Sequence, residues 1–262
     1  QPPGAGVRSL EEALAVAQNL GYPLLVRPSY VLGGRAMEIV YNETELIRYL
    51  DMALELDSRH PVLIDKYLLG KEVEVDAISD GEQVLIPGIM EHIERAGVHS
   101  GDSIAAYPGI NLTSHEVDTM VDYTTRIALG LDLKGLINVQ MVIMREGDTS
   151  SVFVLEVNPR ASRTVPFISK VTGVPVVHLA TKVMAGVTLR EQGYSGGLWK
   201  KSNLVGIKAP VFSMSKLIGV DSYLGPEMKS TGEVMGIDYD FKGALAKALI
   251  ASNLMLPEKG SM

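Results

Sequence analysis

The clearest pattern in this chain is the alternation of apolar and polar residues in two short segments, 138–141 and 154–158. Side chains two residues apart in an extended strand share one face of a sheet. The linker Arg145–Ser150 between the two segments is rich in turn-forming residues and predicts a β-hairpin. Symmetric pairing about this turn would place the polar side chains of both strands on one face.

Four polar residues occupy that predicted face, with Gln140 opposite Glu156 and Asn138 opposite Asn158. The residues predicted for the other face are apolar: Val139, Met141, Leu155 and Val157. Amide and carboxylate oxygens are ligands that suit Mg²⁺, which proteins hold with one or two carboxylates together with substrate phosphates. The pattern therefore favours a metal–nucleotide site, and the alternative is a half-exposed hairpin with ordinary polar residues on its wet face.

The remaining pattern mixes strands and helices and predicts an α+β fold. Strands are expected at 22–27, 36–41, 62–68, 72–78, 84–93 and 204–212, and helices at 9–21, 42–60, 113–131, 165–173, 176–185 and 241–249. Two segments, 95–111 and 224–236, are expected to be a long polar loop and a glycine-rich turn region. The first unit, residues 1–69, is predicted to be a small α+β lobe.

Composition narrows the function classes. The 262 residues are 46% hydrophobic, carry a net charge of −7 and include no cysteine. The charge argues against nucleic acid as the main partner, and the missing cysteines exclude disulfides and thiolate metal sites. No apolar run reaches the roughly 18 residues that span a bilayer and no signal-peptide pattern opens the chain, so we expect no membrane partner and a cytoplasmic location. The abrupt start at Gln1 suggests a piece of a longer protein.

Two further segments are candidate phosphate and ribose contacts. Gly33–Gly34 lies between two predicted strands, with Arg27 and Arg35 on either side. Glycine lets the backbone approach a phosphate, and guanidinium groups suit phosphate oxygens, although a plain hairpin has the same pattern. Glu72 could accept a hydrogen bond from a ribose, but alternation alone favours a solvated face of its strand.

A cluster of small polar residues and a pair of arginines are candidate ligand contacts. The segment Gly97–Ser103 combines two glycines, His99, two serines and an aspartate, which is typical of a ligand-binding loop. Arg160 and Arg163 follow the second hairpin strand directly. They could neutralise a phosphoryl group in transfer, or they could be ordinary charges at a helix end.

Five motifs resemble the large subunit of carbamoyl-phosphate synthetase, and the resemblance covers nearly the whole chain. They are VRPSYVLGGRAMEIVY at 26–41, MEHIERAGVHSGDS at 90–103, NVQ at 138–140, EVNPRASRTVPF at 156–167 and GPEMKSTGEVMG at 225–236. That family has two similar ATP-grasp halves, each with two α+β lobes whose antiparallel sheets grip the nucleotide. The GGRAM loop resembles the C-terminal half, which phosphorylates carbamate with the second ATP.

The resemblance implies a role for each matching residue. Contacts to ATP are implied for Arg27, Lys66, Leu68, Glu72, Gly97, Val98, His99, Ser100, Gln140 and Glu156. Ligation of Mg²⁺ or Mn²⁺ is implied for Gln140, Glu156 and Asn158, with K⁺ as a further cation. Arg163 lies near the transferred phosphoryl group, and with Arg160 and Arg35 it completes the predicted catalytic set. Lys66 departs from the histidine of the family pattern.

The resemblance also implies a domain plan and partners. We expect a small lobe at 1–69, a large lobe with the metal site at 70–215, and a C-terminal segment at 216–262 that leads toward an allosteric domain. The implied activity is ATP- and Mg²⁺-dependent phosphorylation of carbamate to carbamoyl phosphate for arginine and pyrimidine biosynthesis. The glutaminase small subunit and the other large-subunit domains are the implied partners. Two alternatives remain: a nucleotide-binding module without turnover, and another ATP-grasp ligase that forms a different acyl phosphate.

Overall fold

Two sheets follow one another along the chain. The computed structural model describes residues 1–29, 36–56, 60–200, 202–213 and 223–254. The first sheet is antiparallel and has the strand order β1-β4-β2-β3. Its strands are β1 (Gly4–Val7), β2 (Leu24–Pro28), β3 (Glu38–Val40) and β4 (Val62–Lys66).

Two helices, α1 (Leu10–Leu20) and α2 (Glu43–Leu56), pack with this first sheet. Helix α1 begins where the sequence predicts, because the Ser9 side chain accepts a hydrogen bond from the Glu12 backbone N–H. It ends at Gly21, which has a positive φ of 68°. The apolar residues of both helices and of β1, β2, β3 and β4 form a separate buried cluster, so the first sheet has its own core.

The second sheet has eight strands and contains most of the remaining chain. Its strand order is β12-β11-β7-β6-β5-β8-β9, and the short β10 pairs with β6. The strands are β5 (Lys71–Asp80), β6 (Val84–Arg95), β7 (Ala105–Tyr107), β8 (Lys134–Glu146), β9 (Thr149–Asn158), β10 (Gly197–Leu198), β11 (Val205–Val211) and β12 (Gly232–Asp238). The helices around it are α3 (Ser114–Gly130), α4 (Val165–Thr172), α5 (Val176–Met184) and α6 (Phe241–Ala251).

Strand β5 explains how the second sheet presents a polar face. It lies between β6 and β8, and its alternate residues Val73, Val75 and Ala77 are buried in a core with residues of α3. The alternation therefore turns Glu72, Glu74 and Asp76 to the opposite face. These carboxylates are also buried, at 4%, 3% and 1% exposure. The expectation of a solvated face for Glu72 is wrong, because β5 is a central strand and the surrounding protein shields the carboxylates of its polar face from bulk solvent.

Three local expectations are also corrected. The predicted long loop at 95–111 contains a 3₁₀ turn at Ser100–Asp102 and strand β7. The predicted turn region at 224–236 gives way to β12, which pairs with β11 along its length. Strand β1 was not predicted, since its glycines weaken the strand signal. Its extended conformation is stabilised by antiparallel pairing with β4. Among the described residues no helix has the length and apolar character that a membrane crossing needs.

Candidate active site

A cleft of about 710 Å³ opens between the first sheet and the polar face of the second. Twelve of the fourteen residues that the sequence analysis names as site residues line it: Arg27, Lys66, Leu68, Glu72, Gly97, Val98, His99, Ser100, Gln140, Glu156, Arg160 and Arg163. Asn158 is half-buried at the end of β9 and is not among the lining residues. Arg35, with Gly33 and Gly34, lies outside the described residues.

The hairpin of β8 and β9 forms the floor of this cleft, with the predicted register. Gln140 lies opposite Glu156, and Asn138 lies opposite Asn158. One expectation is wrong: the register shifts directly after Gln140, and Leu155 is left without a partner. Leu155 is therefore 37% exposed and lines the cleft beside Glu156, instead of packing on the apolar face. A β-bulge next to a functional site re-aims side chains in this way.

The oxygen atoms on this floor suit a divalent cation that nucleotide phosphates help to hold. The Gln140 Nε2 donates to Ser100 Oγ at 3.1 Å, which leaves the amide oxygen of Gln140 for another partner. Glu156 is exposed, and its side chain makes no hydrogen bond or ion pair within the part of the chain that the structure describes. The Asn158 amide nitrogen is buried without a hydrogen-bond partner, and because an amide N–H does not bind a cation, a ligand role for Asn158 would use its amide oxygen.

Protein carboxylates alone do not form a metal site here. The described residues contain no group of three histidine, aspartate or glutamate side chains placed to hold a metal ion. Mg²⁺ commonly keeps several waters and binds through one or two carboxylates plus substrate phosphates. The set of Gln140, Glu156 and Asn158 fits that mode of binding.

Asn138 shares the hairpin but has different contacts. Its side-chain nitrogen donates to Glu74 Oε1 at 2.8 Å and to Asp76 Oδ1 at 2.9 Å. Asn138 is 2% exposed. Its amide group is therefore used within the protein, which agrees with treating it as a neighbour of the predicted ligands.

The carboxylates of β5 have unlike electrostatic surroundings. Burial raises the pKa of Glu72 to about 7, although the charge of His92 works in the other direction. Glu74 is also buried, but hydrogen bonding and charge from His92, together with Lys208 and Asn138, hold its pKa at about 2. His92 lies between them, with Nε2 3.4 Å from Glu74 Oε2 and Nδ1 3.8 Å from Glu72 Oε1.

The loop from Gly97 to Ser103 presents His99 to the cleft in its neutral form. Burial lowers the pKa of His99, and its Nδ1 accepts a hydrogen bond from the Gly101 backbone N–H at 3.0 Å. A neutral imidazole that accepts at Nδ1 carries its proton on Nε2. His99 can therefore donate to a ligand from Nε2.

Glu233 lines this side of the cleft and Lys208 is buried beside it, and neither was predicted from the sequence. Lys208 is 1% exposed, and its Nζ donates to the Ser100 carbonyl at 2.7 Å and lies 3.8 Å from Glu233 Oε1. Glu233 also pairs with the Arg163 Nε at 3.3 Å. A lone lysine in the apolar strand Val205–Val211 was a usable signal for a buried charge. Glu233 had no such signal, since it lay in a predicted turn.

Two basic residues of the first sheet are held by its own atoms. The Arg27 Nε lies 3.4 Å from Asp65 Oδ2. The Lys66 Nζ donates to the carbonyls of Gly21 and Tyr22 at 2.9 and 3.2 Å. The side chain of Lys66 thus holds the segment before β2. A contact between Lys66 and a ligand would therefore use the Lys66 backbone and not its ammonium group.

Comparison with known proteins shows that the sequence of this chain belongs to a known family. Residues 2–192 match the family model described as carbamoyl-phosphate synthase L chain, ATP binding domain. The chain is 63% identical over 261 residues to the carbamoyl phosphate synthase large chain of Thermomicrobium roseum. The match includes 100% of this chain and 24% of that protein, so the chain spans about a quarter of the relative's length.

Solved structures with low sequence identity share the fold. A biotin carboxylase from Campylobacter jejuni in complex with β,γ-ATP gives a TM-score of 0.74 at 19% identity, covering 97% of this chain and 63% of that one. An N5-carboxyaminoimidazole ribonucleotide synthetase bound to ADP gives 0.70 at 15% identity, covering 97% and 66%. The biotin carboxylase domain of Hydrogenobacter thermophilus 2-oxoglutarate carboxylase, with MgADP and bicarbonate, gives 0.66 at 23% identity, covering 82% and 48%. The chain thus has the ATP-grasp fold, as its sequence predicts.

Proposed function

The chain belongs to the family of carbamoyl-phosphate synthase large-chain ATP-binding domains, and from this premise we propose that it phosphorylates carbamate to carbamoyl phosphate with MgATP. The observation that carries the proposal is the 63% identity over the whole chain, joined to a cleft that is lined by Gln140, Glu156, Arg160 and Arg163. The GGRAM loop at 33–37 supports the C-terminal, carbamoyl-phosphate synthetic half.

The cleft offers separate places for the parts of the nucleotide. We assign the adenosine to the end lined by Lys66, Leu68 and Glu72, and the phosphates to the hairpin floor. His99 donates from Nε2, and Ser100 is held in place by Gln140 and Lys208. When bound, Mg²⁺ would be held by Gln140, Glu156 and Asn158 and would offset charge on the β- and γ-phosphates.

Phosphoryl transfer in this cleft relies on positioning and on charge. A carbamate oxygen attacks the γ-phosphorus in line, the bond from this phosphorus to the β,γ-bridging oxygen breaks, and ADP leaves. Arg160 and Arg163 line the same cleft, and their guanidinium groups would offset charge on the transferred group. No covalent protein intermediate is needed, since every bond change occurs between the two substrates.

The wider setting is part of the same proposal. The parent protein would take its ammonia from a glutaminase subunit, act in the cytoplasm, and supply arginine and pyrimidine synthesis. Mn²⁺ would replace Mg²⁺ at the same oxygen ligands, and K⁺ would be an accessory cation.

The test is ATP formation from carbamoyl phosphate and MgADP by the full-length protein. Glu156→Gln should lower kcat by about 100-fold or more, because Glu156 is the one carboxylate among the three proposed metal ligands. Glu146→Gln is the matched control, since Glu146 is exposed at the far end of the same hairpin. Wild-type protein that makes no ATP would refute the proposed reaction, and full activity in Glu156→Gln would refute the metal assignment.

A further inference from the structure

The segment 159–164 carries two of the arginines that line the cleft, Arg160 and Arg163, but has little regular structure of its own. It joins β9 to α4 and forms neither a strand nor a helix. Its backbone hydrogen bonds are few: Arg160 N–H donates to the Asn158 carbonyl at 2.8 Å, Val165 N–H donates to the Ser162 carbonyl at 3.4 Å, and the Thr164 carbonyl accepts from Ile168 N–H at 2.9 Å. The placement of Arg160 and Arg163 therefore depends on side-chain contacts.

The Arg163 guanidinium contacts Glu233 and Ser230 directly, and a single carboxylate on β5 holds the two residues that flank Arg163. Asp76 Oδ1 accepts a hydrogen bond from Ser162 Oγ at 2.6 Å, and Asp76 Oδ2 accepts one from Thr164 Oγ1 at 2.5 Å. The two hydroxyl oxygens lie 2.7 Å from each other. Asn138 donates to Oδ1 as well, so both oxygens of the carboxylate are occupied.

Asp76 acts from beneath the cleft and not from within it. Its exposure is 1%, and the cleft is lined by Ser162, Arg163 and Thr164 but not by Asp76. Hydrogen bonds to a charged acceptor are shorter and about twice as strong as neutral ones. Asp76 can therefore fix the backbone on both sides of Arg163 without touching a ligand.

We propose that Asp76 is a positioning residue that holds Ser162 and Thr164 and thereby aims Arg163, and with it Arg160, at the phosphoryl group in transfer. This inference rests on the proposed function, because it assigns the arginines to that group. Displacement of a positioned group by about 1 Å can lower a rate about 100-fold. The effect should fall on phosphoryl transfer and on contacts to the γ-phosphate, and it should spare MgADP binding.

The first experiment separates kcat from binding in the full-length protein. Asp76→Ala should lower kcat for ATP formation from carbamoyl phosphate and MgADP by about 100-fold and leave MgADP affinity within about threefold. Asp76→Asn should recover most of kcat, because its amide can still accept from one hydroxyl and donate to the other. Equal losses in kcat and MgADP affinity, or unchanged kcat in Asp76→Ala, would overturn the proposal.

A matched control and a double-mutant cycle exclude a purely structural role. Asp80 is a buried carboxylate of the same strand that accepts backbone N–H bonds from Glu82, Gln83 and Leu189. Asp80→Ala should lower stability and leave kcat unchanged. In an Arg163→Ala background, Asp76→Ala should add less than about threefold to the loss in kcat, because the group it positions is already gone. Additive losses would contradict the inference.

Two further measurements keep the inference testable on its own. Thr164→Val removes one hydroxyl at nearly constant shape, and it should reproduce part of the kcat loss if Asp76→Ala fails to fold. If wild-type protein forms no ATP, the proposed reaction fails, and a non-hydrolysable MgATP analogue then gives the test. Asp76→Ala and Arg163→Ala should both abolish preference for this analogue over MgADP, and an unchanged preference in Asp76→Ala would sink the inference.

Discussion

At the scale of single residues, the cleft contains carboxylates that the fold has removed from water. Glu72 is 4% exposed, its neighbour across the sheet is Val142, and Glu74 and His92 lie on the same side. Burial disfavours the charged form of a carboxyl group, and the pKa of Glu72 is accordingly raised to about 7. A protonated Glu72 can donate to a ligand as well as accept from one, so its role in the cleft depends on pH.

Glu72→Gln should reduce the pH dependence of stability. Between its ordinary pKa of 4.5 and about 7, the folded carboxyl keeps a proton that the unfolded one releases. The stabilisation present below the ordinary pKa is therefore lost as pH rises toward 7. Glutamine is neutral at every pH, so the variant does not lose this stabilisation. The difference in unfolding free energy between Glu72→Gln and wild type should therefore shift in favour of the variant by on the order of a few kcal/mol from pH 5 to pH 8.

Urea unfolding at the two pH values measures this difference. Glu82→Gln is the control, because Glu82 is exposed at the turn of the β5–β6 hairpin and should change stability equally at both. A Glu72→Gln effect that is the same at pH 5 and pH 8 would contradict the raised pKa.

At the scale of elements, the hairpin shows what the sequence could and could not predict. Alternation and the turn residues were sufficient to predict that the two strands pair and that Gln140 lies opposite Glu156. The bulge at Leu155 was missed, because simple alternation was extended through it. The spacing of the valines carried the signal for the bulge. Val152, Val154 and Val157 all pack against one core, and because residues on one face of a strand normally lie two apart, the spacing of three between Val154 and Val157 requires one extra residue.

Long-range partners could not be predicted from local pattern. Asp76 meets Thr164 across 88 positions, and Lys208 meets the Ser100 carbonyl across 108. Such pairs depend on which strands become neighbours, and periodicity within one segment carries no information about that. The family motifs identified residues that line the cleft, but not the buried groups beneath them.

Glycines in two elements should respond in opposite ways to alanine. At Gly70, before β5, an added Cβ would lie 2.4 Å from the Ile143 carbonyl oxygen and 2.7 Å from Val142 Cγ2. Gly70→Ala should therefore cost about 1–3 kcal/mol of unfolding free energy through overpacking. At Gly130, at the end of α3, an added Cβ would meet nothing within 4 Å, so Gly130→Ala should add about 0.4–1 kcal/mol.

Denaturant midpoints of the two variants test both signs against wild type. Because the substitution is chemically the same, Gly130→Ala serves as the matched control for Gly70→Ala. Equal midpoints would show that the close packing of Gly70 on β8 has no energetic consequence.

At the scale of the whole molecule, the two sheets have separate cores and meet through few connections. The chain passes from one to the other at Leu68–Gly70, and the Tyr67 hydroxyl donates to the Ala96 carbonyl across the junction. Arg27 lines the cleft from the first sheet, while Gln140 and Glu156 line it from the second. A ligand that contacts both sides would therefore add stability between the two units.

MgATP should accordingly stabilise the 262-residue chain against heat. A ligand at 100 times its Kd adds about 2.7 kcal/mol to a folded state that alone binds it, and for a chain of this size each kcal/mol corresponds to roughly 2–4 °C in Tm. Glu156→Gln should lose the part of the shift that depends on Mg²⁺, and Glu146→Gln should retain it. Calorimetry in ATP with and without excess chelator separates the two contributions. A shift that is equal in Glu156→Gln and wild type would place the metal elsewhere, and no shift in wild type would mean that the cleft needs further domains of the parent protein to bind nucleotide.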